Sequence, residues 1–372
     1  EGLYNFFQLN FVNYTFGMGH KDWVWAVTED NQQNMWFASY LNGLWKWDGS
    51  ILTDYTKHIN SKLKSHIRTS PPTDAFRYYM GTSKNDNELY FPTESNVIAY
   101  NGREFYNVPN LPYTPYQTTK TYKNGNTVFG GVKGLIEKQP DGNQKHWTDK
   151  DLNLTSVLDV AIDTSGNYIA IGSNGFTLIK KDSILQFNEP EHKNRICSTK
   201  DHKQNIWMAG RNGFTLFDGE NPTVIPEYLD ETFYSLLFVK PHYLIAGGIK
   251  GLYVANLEDY YNTGLFEMLL YDNNSGFTGL ECGQNGFFTD SDGFVWLPTS
   301  DLVCRFNPET IVSKTIEPPK LIPSIKTSNN KVDWNPIEQL NNKLKYNENN
   351  LKIKLNTISF SNLGKLRYYY KL

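Results

Sequence analysis

Seven segments of this chain repeat one order of events: a strand, a polar turn, a second strand centred on a large residue, a small-residue turn and an alternating third strand. The clearest copies are "VWAVTEDNQQNMWFASYLNGLWKWDG" (24–49), "ICSTKDHKQNIWMAGRNGFTLFDG" (196–219) and "DSDGFVWLPTSDLVCRFNPET" (290–310). Registering all seven on the second strand puts Trp36, Tyr90, Val128, Ile169, Trp207, Ile245 and Trp296 at one equivalent position, 38 to 54 residues apart. Spacing of this order belongs to propeller blades. A fourth strand follows in the first six units, as "ILTDYT", "EFYNVP", "QKHWTD", "ILQFNE", "TVIPEY" and "FEMLLYD". The seventh has none after "CRFNPET", which would leave a frayed edge. Near the N-terminus "FVNYT" (11–15) is similar to "LTDYT" (52–56), so it is the natural strand to complete the last blade.

The expected fold is therefore all-β: a seven-bladed β-propeller of four-stranded blades over residues 1–314, closed by its N-terminal strand. Residues 315–372 differ in kind. A Pro-punctuated linker, "IEPPKLIPSIKTSNN", leads to "LKIKLNT", where Leu351, Ile353 and Leu355 alternate as on a half-buried strand. Two or three strands make no sandwich alone, so this segment reads as a linker and the first strands of a truncated Ig-like β-sandwich.

Composition agrees and narrows the partners. Aromatic residues make up 15% of the chain, with 28 glycines, which suits short strands joined by tight turns. A net charge of -3 argues against nucleic acid or an anionic membrane surface as the partner. Cys197, Cys282 and Cys304 have no metal-like spacing and read as buried free thiols. No apolar run is long enough to span a membrane.

The acidic turns invite a calcium test. "DSDGF" offers carboxylates at loop positions one and three, but position five is Phe294 and position twelve is Asp301 where a bidentate Glu is needed. Because the turn recurs as "DTSGN", "DHKQN" and "DNQQN", turn capping explains it better than a metal. Trp36, Trp207 and Trp296 could stack sugars, yet their repetition favours packing between blades; Trp45 and Trp47 read the same way. The seven histidines are scattered, and neither a G-x-S-x-G elbow nor a P-loop occurs. No catalytic residue, cofactor or metal is expected.

On these residues the chain resembles the sensor region of two-component regulators, with two-component regulator propeller repeats followed by the start of a Y-Y-Y domain. The repeat core "D-x-x-G-N-x-W-x-G-T" then "G-L-x-x-x-D" is matched by "EDNQQNMWFASYLNGLWKWD", "KDHKQNIWMAGRNGFTLFD" and "TDSDGFVWLPTSDLVCRFNP"; blades two, three and six lack the Trp and part of the Asp-Gly turn. Tyr368 to Tyr370 stand where the Y-Y-Y domain has its tyrosines. The resemblance implies the periplasmic part of a Bacteroidetes-like hybrid or sensor histidine kinase, glycan-responsive and signalling through a homodimer. The fragment itself would be no enzyme, and would meet a membrane only through a helix downstream of Leu372. Many members of the family carry two propellers, whereas seven repeats are found here.

For a small-molecule or oligosaccharide ligand, the face that gathers the second-to-third-strand turns and the blade-to-blade loops is the expected site. Tyr40, Lys133, Arg211 and Lys250 lie at turn tips, and Trp23, Arg68 and Arg195 on loops entering blades. Long insertions follow blade one ("KHINSKLKSHIRTSPPTDAF") and blade six ("NNSGFTGLECGQ"). Aromatic and cationic groups together suit a polyhydroxylated or acidic sugar. A propeller that only docks a protein partner, or a distant lyase-like enzyme, are the alternatives.

Overall fold

In the computed structural model the described residues are 11–16, 24–39, 43–56, 59, 81–82, 88–312, 321–327, 335–336 and 351–357. They fall into two compact units, one formed by Gln8–Val312 and the other by Glu1–Phe7 with Ser313–Leu372.

The first unit contains seven four-stranded antiparallel sheets. In six of them the strands run in chain order from the inner to the outer edge. Blade five shows the pattern: Arg195–Lys200, Ile206–Gly210, Gly213–Phe217 and Pro222–Ile225. Blades two and seven have the shortest inner strands, Gly81–Thr82 and Phe288–Thr289. Blade seven takes its outer strand from Phe11–Tyr14, which pairs with Val303–Phe306 in the register Phe11 to Phe306 through Tyr14 to Val303. The N-terminal closure expected from "FVNYT" is thus present.

Packing repeats as faithfully as topology. The seven registered residues are all buried, none more than 3% exposed. Each belongs to a separate apolar cluster shared with the next blade. Trp36 packs among Leu89, Phe91 and Phe105 of blade two, Trp207 among Leu244 and Phe266 of blade six, and Trp296 among Val24, Val27 and Phe37 of blade one. Tyr90, Val128, Ile169 and Ile245 do the same toward blades three, four, five and seven. A radial array of sheets has wedge-shaped gaps, and a bulky residue at one strand position fills each of them. Packing, not sugar stacking, is therefore what the repeated tryptophans do, and Trp45 and Trp47 join the same cluster as Trp296. The three cysteines are buried free thiols.

Antiparallel strands place all turns between first and second strands, and between third and fourth, on one side of the ring. This is the turn side. The second-to-third-strand turns and blade-to-blade connections occupy the other, the loop side. Backbones pass closely there: a Cβ on Gly210 would lie 1.6 Å from the carbonyl oxygen of Asn194, in the loop entering blade five.

The second unit is described as a three-stranded antiparallel sheet, with Leu321–Thr327 between Asn335–Pro336 and Leu351–Thr357. The strand expected at Leu351 is present. Half-burial of its alternating face is not met at Ile353, which is 54% exposed. Tyr368 to Tyr370 lie outside the described residues.

Candidate functional site

On the turn side the acidic turns are committed to structure. Asp30 Oδ1 accepts the backbone N–H groups of Gln32 and Asn34, while Oδ2 accepts the Trp36 indole N–H at 2.9 Å. Asp201 repeats this with Lys203, Asn205 and Trp207, and Asp290 with Asp292, Phe294 and Trp296. One carboxylate thereby closes the hairpin and satisfies the only polar atom of a buried indole. Burial alone would raise the Asp30 pKa, but the hydrogen bonds from Trp36, Asn34 and Gln32 outweigh it and hold the carboxyl below its ordinary value. Around Asp290 the Arg305 guanidinium adds a bond at 3.1 Å and lies over Phe294, 3.8 Å from the ring centre. Among the described residues no three His, Cys, Asp or Glu side chains gather to hold a metal ion.

The loop side has a cleft of about 230 Å³ where blades six, seven and one meet. Trp25 comes from the inner strand of blade one (Val24–Glu29), and Tyr234 from that of blade six (Phe233–Val239). Glu281 and Gln284 come from the loop leading into blade seven, and Ser300 from that blade's second-to-third-strand turn. Two aromatic residues offer flat apolar faces, while a carboxylate, an amide and a hydroxyl supply acceptors and donors around them. Burial pushes the Tyr234 phenol up to about 12; its hydrogen bond to the Glu281 carboxylate adds to this, and Arg211 nearby pulls the other way.

The residues singled out in the sequence fare unequally. Arg211 is exposed at its turn tip, close enough to be felt by Tyr234. Lys250 is ion-paired with Glu231. Lys133 is exposed on blade three, where its carbonyl accepts a bond from His146 at 3.0 Å, and it stands apart from the cleft. Arg195 is not on a loop: it opens the inner strand of blade five and is fully buried. Its guanidinium donates to Thr215 Oγ1 at 2.9 Å, the Asn212 carbonyl at 3.1 Å and the Glu191 carbonyl at 2.8 Å, stapling a turn to the preceding loop. Burial lowers its pKa to about 10, which leaves it charged at neutral pH. Trp23, Tyr40 and Arg68 lie outside the described residues. Sequence reasoning misses Trp25, Tyr234 and Glu281, although "NNSGFTGLECGQ", one of the two long insertions, contains Glu281.

No protein-family model matches the sequence, and no curated protein matches it. Solved structures do match the fold. The extracellular domain assigned to the hybrid two component system BT3049 of B. thetaiotaomicron superposes with a TM-score of 0.63 at 16% identity, over 84% of this chain and 42% of that one. The extracellular domain assigned to BT4673 of the same organism gives 0.62 at 17% identity, over 85% and 41%. A streptogramin B lyase gives 0.57 at 13% identity, over 80% and 97%. The chain thus spans about two fifths of the length of the two extracellular domains. At these identities the likeness is one of fold alone.

Proposed function

We propose that this chain is the extracytoplasmic ligand-sensing propeller of a two-component sensor, and that it takes a neutral oligosaccharide in the cleft between blades six, seven and one. One observation carries the reading: Trp25 and Tyr234 face a cleft rimmed by Glu281, Gln284 and Ser300. Sugar rings present an apolar face and a rim of hydroxyls, which such a site complements. Charge at the cleft is close to balanced, with Glu281 on its border and the exposed Arg211 near Tyr234, while Lys250 is paired with Glu231 and Arg195 is buried; such balance suits a neutral sugar. The likeness to the two B. thetaiotaomicron extracellular domains supports an extracytoplasmic sensor, and no helix among the described residues is long and apolar enough to cross a membrane. In the whole protein, ligand binding would bias a dimer arrangement in the periplasm and so a cytoplasmic histidine kinase. That requires different affinities for the two arrangements.

A protein-docking role is the second reading, favoured by the exposed apolar residues Tyr113, Val132, Leu229, Ile249 and Leu280 on the loop side. Calorimetric titration of neutral and uronic-acid oligosaccharides into the purified chain separates the two. Heat with a neutral oligosaccharide at millimolar concentration or below, lost in Trp25→Ala, is the expected result. No heat with any sugar, together with self-association, would favour docking.

A further inference from the structure

We propose that the loop leading into blade seven is a clasp across the centre of the ring, with Asn285 as its catch, and that this clasp sets the shape of the cleft. The regulatory part of this proposal rests on reading the cleft as the ligand site. Glu281, Cys282, Gly283 and Gln284 line the cleft, and the next residue in the chain leaves it for the ring axis. The Asn285 side-chain amide donates to the carbonyl of Leu158 at 3.1 Å, just before the inner strand of blade four, and to that of Ile196 at 3.3 Å, on the inner strand of blade five. In a ring of seven, blade four stands three places from blade seven and blade five two, so these bonds reach across the central channel. Its backbone N–H donates to the Tyr234 carbonyl of blade six at 2.8 Å, and it adopts φ 48, a conformation that Asn tolerates better than most residues.

The rest of the loop is tied on both flanks. Ser235 of blade six donates to the Gly283 carbonyl at 2.5 Å and accepts from the Gly286 N–H at 2.7 Å. On the blade-seven side, Gly283 N–H bonds the Pro298 carbonyl at 2.8 Å, and Ser300 N–H bonds the Glu281 carbonyl at 2.9 Å. One short segment therefore holds the floor of the cleft and the bonds to blades four, five and six. Anything that moves the Gly283–Gln284 backbone must move Asn285, so occupancy of the cleft is transmitted to the far half of the ring. Hydrogen bonds hold the catch, and segments held in this way open locally before the fold as a whole.

The buried thiol of Cys282, within the loop, reports opening without any ligand. The purified chain and its Asn285→Gly variant are labelled with 4,4′-dithiodipyridine, and each cysteine is followed by mass spectrometry. Glycine keeps the left-handed backbone and removes the side chain with its amide. Cys282 is expected to react about tenfold faster in the variant, with Cys197 and Cys304 at the wild-type rate. Ser235→Ala should act in the same direction, which guards against a single variant that fails to fold. Unchanged Cys282 labelling in both variants, or acceleration of all three thiols together, would overturn the clasp whatever the cleft binds. The ligand reading stands or falls separately, on the sugar titration.

Discussion

Set side by side, the two faces of the ring are built by opposite rules. On the turn side, Asp30, Asp201 and Asp290 each do the same work: two backbone bonds and one indole bond, with the Trp six residues on. On the loop side the backbone recurs, with the same inner-strand bulge in blades one, three, five and six, but the side chains do not. Trp25 and Tyr234 share one position, the bulged second residue of an inner strand, where blades three and five carry Gln117 and Ile196; with Glu281 of a third blade they meet only because the ring closes. The difference separates architecture from function. A feature repeated around the ring answers a problem that every blade shares, whereas one that occurs once answers something outside the fold.

Substitutions can break this contrast or sharpen it. Trp207→Ala should cost the most, about 3–5 kcal/mol in denaturant unfolding, because it empties the wedge between blades five and six. Asp201→Ala should cost about 2–3 kcal/mol, since it strands a buried indole N–H and the Tyr261 hydroxyl as well as two turn amides. Asp163→Ala is the matched control: that carboxylate caps Ser165 and Asn167 in blade four with no indole to satisfy, and its loss should cost about 1 kcal/mol. Equal losses at Asp201 and Asp163 would remove the indole bond from the account.

Acid should act on each face in its own pH window. Burial lowers the His192 pKa on the loop side below the ordinary imidazole value of 6.5, against the pull of Glu191 and Glu189, with Arg195 acting in the same direction as burial. The unfolded chain then binds the proton first, so stability falls as pH drops below about 6.5, and His192→Gln should flatten that step. Asp30 on the turn side is held below its ordinary 3.8. Its contribution is full above that value and disappears as pH falls through the lower folded one, so Asp30→Asn should differ from wild type less at pH 2 than at pH 5. Melting curves from pH 2 to 8 read both steps. The smallest effect on stability belongs to Tyr234→Phe, within about 0.5 kcal/mol of wild type, although it removes the phenol from the cleft.

Legibility in the sequence follows the same divide. Blade count, the residues filling the wedges and the closing strand could be read from Trp36 to Trp296 and from "FVNYT", because repetition multiplies a weak local signal sevenfold. The cleft could not be read. Tyr234 looked like part of an apolar run, Trp25 like one more strand aromatic, and only ring closure makes them neighbours. The surroundings of the cationic residues were hidden for a related reason: sequence cannot tell that Arg195, expected on an entering loop, turns inward to backbone carbonyls or that Lys250 at its turn tip pairs with Glu231.

Amide-exchange mass spectrometry with and without a bound neutral oligosaccharide compares the two faces in one measurement. Protection is expected at peptides containing Trp25, Tyr234 and 281–286, with the turns at 30–34, 201–205 and 290–294 unchanged. Protection at those acidic turns, with the cleft peptides unaffected, would contradict the division of the ring into a structural face and a sensing face.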